Sequence, residues 1–239
     1  MSDYSVLHRA NTRGGQDHGW LKVNHTFSFA NYYNPNRMHF GVLRVLNDDS
    51  IAGGKGFGTH PHDNMEIITI PLEGALAHKD NMGNGTIIKK GDIQVMSAGT
   101  GITHSEFNSN EDHAVKVLQI WLFPNKKNVT PRYDQLSLKD IEVKNEFYQI
   151  LSPNQNDQGV WIYQNSWFSM AEFDSDKEVN YKLNLTSNGV YIFVIEGEIK
   201  VGKESLGKRD GFGIWNTEKI NISALKGAKI LLMELPMSV

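Results

Sequence analysis

Hydrophobic positions in this chain come in short runs, not at the three-to-four-residue spacing of an amphipathic helix. MHFGVLRVL (38–46), MEIITIPL (65–72), TIIKKGDIQVM (86–96), AVKVLQIWLF (114–123), VYIFVIEGEIKV (190–201) and KILLMELP (229–236) are β-rich and are separated by Gly, Asn and Asp. Strands at this spacing, punctuated by turn chemistry, predict an all-β sandwich or barrel. LSLKDIEV (136–143) is expected to hold a helical turn or a short helix. The stretch from Pro124 to Pro131, with Asn and Lys between, reads as a linker.

The two sides of that linker resemble each other. MEIITIPLEGAL carries Glu73-Gly74, GVYIFVIEGEIKV carries Glu196-Gly197, and a shift of 123 residues superimposes these turns without a gap. Gly91-Asp92 in the first half is matched by Arg209-Asp210-Gly211 in the second. A repeat of one β-barrel unit follows, with a first domain expected over residues 1–130 and a second over 131–239.

Composition narrows the partners. Lys and Arg number 24 against 27 Asp and Glu, so no basic excess draws the chain to nucleic acid. No apolar run approaches the roughly 20 residues of a membrane span, and the start, MSDYSVLHRANTRGG, lacks the apolar stretch of a secretory signal. The absence of cysteine removes disulfides, thiolate ligands and thiol catalysis together, and is compatible with a cytoplasmic location.

Chemistry concentrates in two strings. His60-Pro61-His62 and His104-Ser105-Glu106 each place two ligand-type side chains at i and i+2. On a strand such pairs project to the same side. Two adjacent antiparallel strands can therefore aim three imidazoles and one carboxylate at a single point, a set that suits iron, manganese, cobalt, nickel, copper or zinc. Pro61 lacks an amide hydrogen and suits a bulge or an edge. Either pair alone is as readily a surface pair; both together point to a metal. By the repeat offset His60 and His62 fall on Leu183 and Leu185, and Glu66 falls on Gly189; stepping from Asp92 and Asp210, His104 and Glu106 fall on Ile222 and Ala224. The second unit is thus expected to bind no metal and to fill its interior with these apolar side chains. His8, His18, His25 and His39 lie among polar turn residues without paired spacing, and His113 reads as a loop residue. His78 is expected to line or border the site. Glu66 either reaches the metal or supports it by hydrogen bonding.

GKGFGTHPHDNMEIITIPLEG (54–74) resembles the first cupin motif, with one extra residue before its final glycine. HPHDNMEIITIPLEGALAHKDNMGNGTIIKKGDIQVMSAGTGITHSE (60–106) is similar to the signature of the pirin family of bicupins. The likeness extends upstream through RGGQDHGWLKVNHTFSFANYY and MHFGVLRVLNDD and downstream to LQIWLFP, covering roughly residues 8–125. The second half resembles only the general cupin pattern, including QNSWFSMAEF (164–173), and is short for the family, so its contribution to a lid or partner surface can differ. The resemblance implies an all-β bicupin of two tandem cupin units. It implies one divalent metal per chain, expected to be Fe(II), with Zn, Mn, Ni, Co or Cu as alternatives, held by His60, His62, His104 and Glu106. Glu66 takes the place of the cupin-motif glutamate that pirins do not count as a ligand.

Bacterial members of the family are similar to quercetin 2,3-dioxygenases. The resemblance therefore implies a flavonol-like aromatic substrate and dioxygen, with Glu106 taking the proton of the substrate hydroxyl. Phe40, Phe57, Phe107 and Trp121 are candidates to stack on a planar substrate, although aromatics in β-barrels usually fill the interior and each reads more readily as core. Two other readings stand beside it. Animal members are nuclear transcription cofactors, which implies a non-catalytic metalloprotein presenting a redox-sensitive surface to a protein partner. The third is a metal-stabilised scaffold that binds a small ligand without turnover.

Overall fold

The computed structural model describes residues 4–239. Four sheets stack as layers. In the first half a seven-stranded sheet runs in the order β12 (Arg132–Ser137), β9 (Asp92–Ser97), β6 (Glu66–Glu73), β11 (Val115–Leu122), β4 (Leu43–Ile51), β3 (Leu21–His25), β2 (Gly14–Asp17). It faces a four-stranded sheet of β5 (Gly56–His62), β10 (Ile102–Asn108), β7 (Ala75–Asp80) and β8 (Gly85–Lys89). The second half repeats the plan. Its large sheet runs β1 (Ser5–His8), β20 (Gly211–Ile214), β17 (Asn188–Glu196), β22 (Lys229–Pro236), β15 (Trp167–Glu172), β13 (Tyr148–Ser152), β14 (Val160–Trp161). Its small sheet runs β16 (Lys177–Lys182), β21 (Lys219–Ala224), β18 (Ile199–Val201), β19 (Glu204–Leu206).

The two large sheets pack against each other at the centre. Leu43, Leu46, Ile68, Ile70, Leu118 and Ile120 of the first half meet Ile150, Phe168, Tyr191, Phe193, Leu231 and Met233 of the second in one buried cluster. Each large sheet is thus covered on both faces, which is why its strands read as near-continuous apolar runs. The hairpin turns that revealed the repeat are equivalent in conformation: Gly74 and Gly197 take φ of +76° and +74°, a region that glycine enters without steric penalty. One expected strand is displaced. Gly41 takes φ +52° and turns the chain, so MHFGVLRVL becomes regular strand only at Leu43 and continues to Ile51. The short helix expected in 136–143 is a single 3-10 turn, Leu138–Asp140.

The halves exchange strands across the expected boundary at 130/131. β1, from the start of the chain, pairs with β20 in the second half's sheet, Ser5 opposite Ile214 and His8 opposite Gly211. β12, which follows the Pro124–Pro131 connection, pairs with β9 in the first half's sheet, Arg132 opposite Ser97 and Ser137 opposite Asp92. His8 is consequently buried and hydrogen-bonded to the Tyr191 hydroxyl at 2.8 Å, not a turn residue. Burial pushes its imidazole down to about 4.

The second barrel is filled. Leu183, Ile222 and Ala224 join Ile192, Val194 and Leu232 in a continuous interior. Leu185 does not: it is 39% exposed. The connection between the equivalent strands spans 63–65 in the first half and 183–187 in the second, so a gapless offset carries His62 past the end of β16 and into a loop. That loop is anchored on the buried Glu234, which accepts hydrogen bonds from the amides of Asn184 and Leu185, each at 2.9 Å, and from the Tyr181 hydroxyl at 2.8 Å.

Candidate metal centre and cavity

β10 alternates as its sequence requires. Ile102, His104, Glu106 and Asn108 turn inward and are buried, while Thr103, Ser105 and Phe107 turn away. β5 lies antiparallel beside it with His60 opposite His104 and His62 opposite Ile102; the register then slips, so that Phe57 faces Glu106. This bulge keeps His60, His62 and Phe57 on the inner side of the strand. It also draws the strands close: a side chain at Gly56 would collide with the Glu106 carbonyl and the Phe107 ring.

Ligand atoms of His60, His62 and His104 lie within 4.8 Å of one another. The ring centroids of His60 and His62 stand 4.4 Å and 4.9 Å from that of His104, and His62 Nε2 lies 3.0 Å from His104 Nε2. Glu106 is joined to this cluster through His104, in a second group of three that includes His78, again within 4.8 Å. Behind His104 a polar chain runs outward: its Nδ1 is 3.5 Å from His78 Nδ1, and His78 Nε2 is 3.3 Å from Asp80 Oδ2. Burial pushes Asp80 up, but hydrogen bonds from Asn84, His78 and Met82 outweigh it and hold the carboxyl below its usual value.

The electrostatics suit a cation. Burial, then the neighbouring His60 ring, pushes His62 down to about 4, and the same two causes push His104 down to about 3. Both rings are neutral at ordinary pH, the form that ligates metal. Glu106 is pushed up to about 7 by burial, opposed by hydrogen bonding from Gln119 and Thr69. Its Oε2 accepts from Gln119 Nε2 at 3.2 Å, and among the described residues its Oε1 has no partner. A buried acceptor left open beside three imidazoles, of which His62 and His104 are held neutral, fits a divalent ion bound by nitrogen and oxygen.

His60, His62 and Glu106 of this cluster line one wall of a cavity of about 490 Å³ between the small and large sheets, within the range of about 300–1,000 Å³ usual for small-molecule sites. The opposite wall is the inner face of the large sheet: Asn47, Asp49 and Ile51 from β4, and Val117, Gln119 and Trp121 from β11. Trp20, Phe29 and Phe57 add aromatic surface. Trp121 meets the His62 ring edge-on at 4.9 Å, and among the described residues its buried Nε1 has no partner.

Of the four aromatic residues that are candidates for substrate contact or for core, Phe57 and Trp121 line the cavity and two do not. Phe40 is buried between the large sheets, its ring centroid 5.3 Å from that of Tyr191. Phe107 follows Glu106 on the strand, faces the other way and is 40% exposed. His78 borders the cluster from behind. Glu66 lies outside both ligand groups, buried and accepting from Ser97 Oγ at 2.7 Å. His113 is an exposed loop residue, as its sequence suggests. His25 differs: it is buried on β3 with Nδ1 2.9 Å from Asn47 Oδ1, placed there because β3 pairs with β4. Trp20, Phe29, Asn47, Asp49 and Gln119 carry no motif. Residues 47–50 of β4 are all polar, so alternation gives no local sign of which side chains face the cavity.

Comparison with known proteins agrees with this geometry. The family model described as Pirin matches residues 6–122, and that described as Quercetinase C-terminal cupin domain matches residues 149–235. The chain is 40% identical over 230 residues to a quercetin 2,3-dioxygenase of Escherichia coli K12, covering 96% of this chain and 98% of that one. The crystal structure of YhhW from Escherichia coli superposes with a TM-score of 0.93 at 40% identity, covering 98% of each chain. The bacterial pirin YhhW in complex with nickel(II) gives 0.92 at 39% identity, covering 98% of this chain and all (100%) of that one.

Proposed function

The chain belongs to the pirin family, and from that membership we propose that it is a metal-dependent dioxygenase of flavonol-type compounds such as quercetin. His60, His62, His104 and Glu106 would hold a single divalent ion, with iron as the working metal. When bound, the ion supplies Lewis acidity toward a substrate hydroxyl and a centre for dioxygen chemistry. The observation that carries the reading is the gathering of His60, His62 and His104, with the half-partnered buried Glu106 carboxyl joined to them through His104, beside a largely aromatic and aliphatic cavity.

The chain's own side chains then have definite tasks. Gln119 donates to Glu106 Oε2 and restrains the carboxylate, leaving Oε1 without a partner among the described residues. With its affinity for protons raised by burial to about 7, Glu106 is poised to take the hydroxyl proton near neutral pH. His78 and Asp80 back His104 and hold its ring orientation. Trp121, Phe29 and Phe57 offer faces and edges to a planar ligand and exclude water from it.

Anaerobic reconstitution with iron, manganese, cobalt, nickel, copper and zinc in turn, followed by oxygen-uptake measurement with and without quercetin, tests the proposal. Quercetin-dependent uptake with at least one metal is expected. Saturated metal sites without such uptake for any metal would refute it.

A further inference from the structure

Three residues that line the cavity each hold a buried polar atom with no hydrogen-bond partner among the described residues: Glu106 Oε1, Trp121 Nε1 and Asp49 Oδ1. The first two lie at the histidine end, where the reading above gives them a metal and a substrate head group. The third is used by nothing described so far. Asp49 is only 7% exposed and sits on β4 opposite Val117 and Val23. Those two valines belong to an apolar cluster with Ile51, Leu76, Trp20 and Phe57.

Strand register fixes where this carboxyl stands. Trp121, against His62, pairs with Val45, whereas Val117 pairs with Asp49. The two levels are four residues apart along the sheet, about 13 Å at about 3.3 Å per residue. One end of the cavity is therefore nitrogen-rich and the other largely apolar, with the Asp49 carboxyl set one side-chain level beyond Glu106, whose partner Gln119 is two residues from Val117 on β11. An unpartnered carboxyl in such a place is unfavourable in the empty protein. It becomes favourable when a ligand brings a polar group to it. A hydroxyl suits it in either protonation state, since it can donate to a carboxylate oxygen or accept from a carboxylic acid.

We infer that the Asp49 carboxyl recognises a hydroxyl on the end of the substrate remote from the three histidines, so that the cavity selects planar aromatic compounds hydroxylated at both ends. Asp49 is a specificity group, not part of the reacting centre. The inference rests on the dioxygenase reading for the kind of aromatic that enters.

The test is a cycle between ligand hydroxyl and side chain, read as dissociation constants on zinc-loaded protein without oxygen by tryptophan fluorescence quenching. The probes are 3-hydroxyflavone, 3,7-dihydroxyflavone and 3,4′-dihydroxyflavone. On the unaltered chain one of the dihydroxy compounds is expected to bind about 10–100-fold more tightly than 3-hydroxyflavone, the worth of satisfying a buried polar group. In Asp49→Val that ratio should collapse to about one. In Asp49→Asn, which keeps the shape and one acceptor, it should be intermediate. An unchanged ratio in both variants, with flavones still binding, overturns the Asp49 assignment alone. Failure of all three flavones to bind the unaltered chain overturns the flavonol reading, and the Asp49 assignment with it.

Discussion

Replacing Asp49 with Asn should stabilise the metal-stripped protein, by an amount that depends on pH. Burial, with smaller contributions from the Asp48 and Glu106 charges and against the pull of Arg13, pushes the Asp49 carboxyl from 3.8 up to about 8. Below about pH 4 the group is protonated in both the folded and unfolded chain and takes nothing from stability. Between 3.8 and 8 the unfolded chain releases the proton and the folded one keeps it, so stability falls as pH rises, by about 1.4 kcal/mol per unit. Above 8 both forms are ionised and the loss is constant. At pH 7 the full linkage is on the order of 4 kcal/mol, an upper bound because water entry and relaxation soften buried charges. The amide of Asn titrates nowhere in this window but is itself buried without a partner. A net gain of about 1–3 kcal/mol at pH 7 is expected, shrinking toward zero at pH 4. Urea unfolding of both proteins in EDTA at pH 4, 5.5, 7 and 8 measures it. Glu66 and Glu106, each pushed up to about 7 by burial, titrate in both proteins and largely cancel in the difference. An Asn variant less stable at pH 7, or a gap that does not widen with pH, would refute the reasoning.

Further outcomes follow from the same geometry. Ala at His60 or His104 should sharply lower metal content measured by elemental analysis, whereas Ala at the exposed His113 should leave it unchanged; equal loss at all three would end the ligand assignment. Glu106→Gln keeps the shape and one acceptor oxygen, so part of the metal should remain while turnover falls by about 10²–10⁴; full turnover in metal-replete protein would remove its role as proton acceptor. Leu183→Ala should lower stability by about 2–5 kcal/mol as a core truncation, and Leu185→Ala by less than about 0.5 kcal/mol as a surface change, because only the first is buried. Metal stoichiometry should be one per chain, since the second barrel is packed with Leu183, Ile222 and Ala224; two tightly bound ions, one of them lost on changes within 180–225, would contradict it.

Much of this architecture is legible from local pattern. The alternation through His104 and Glu106 and the Glu-Gly hairpins at 73–74 and 196–197 are short-range signals, governed by the two-residue period of a strand and by turn glycines. The far wall of the cavity is not local. Asp49 and Gln119 acquire their meaning only when β4 and β11 pair and face the small sheet, and nothing within either strand announces that encounter. The misplacement of Leu185 has a similar origin: a difference in loop length between the halves is invisible to a gapless offset. Phe107 and Phe40 show the converse limit, since an aromatic beside a ligand in sequence sits on the opposite face of the strand or in the central core.

The exchange of β1 and β12 between the halves sets the order in which the protein can be completed during synthesis. β12 closes the edge of the first large sheet soon after its partners exist, because only residues 98–131 separate it from β9. β1 is made about 200 residues before its mate, which runs from Gly211 to Ile214. At about 5–20 residues per second, its backbone donors and acceptors wait on the order of 10–40 seconds for that mate. Closing so long a loop is a late, slow event, and an unpaired strand edge is open meanwhile to other nascent chains. The edge strand β1 therefore stays unpaired through most of synthesis, an interval in which the chain is exposed to misassembly.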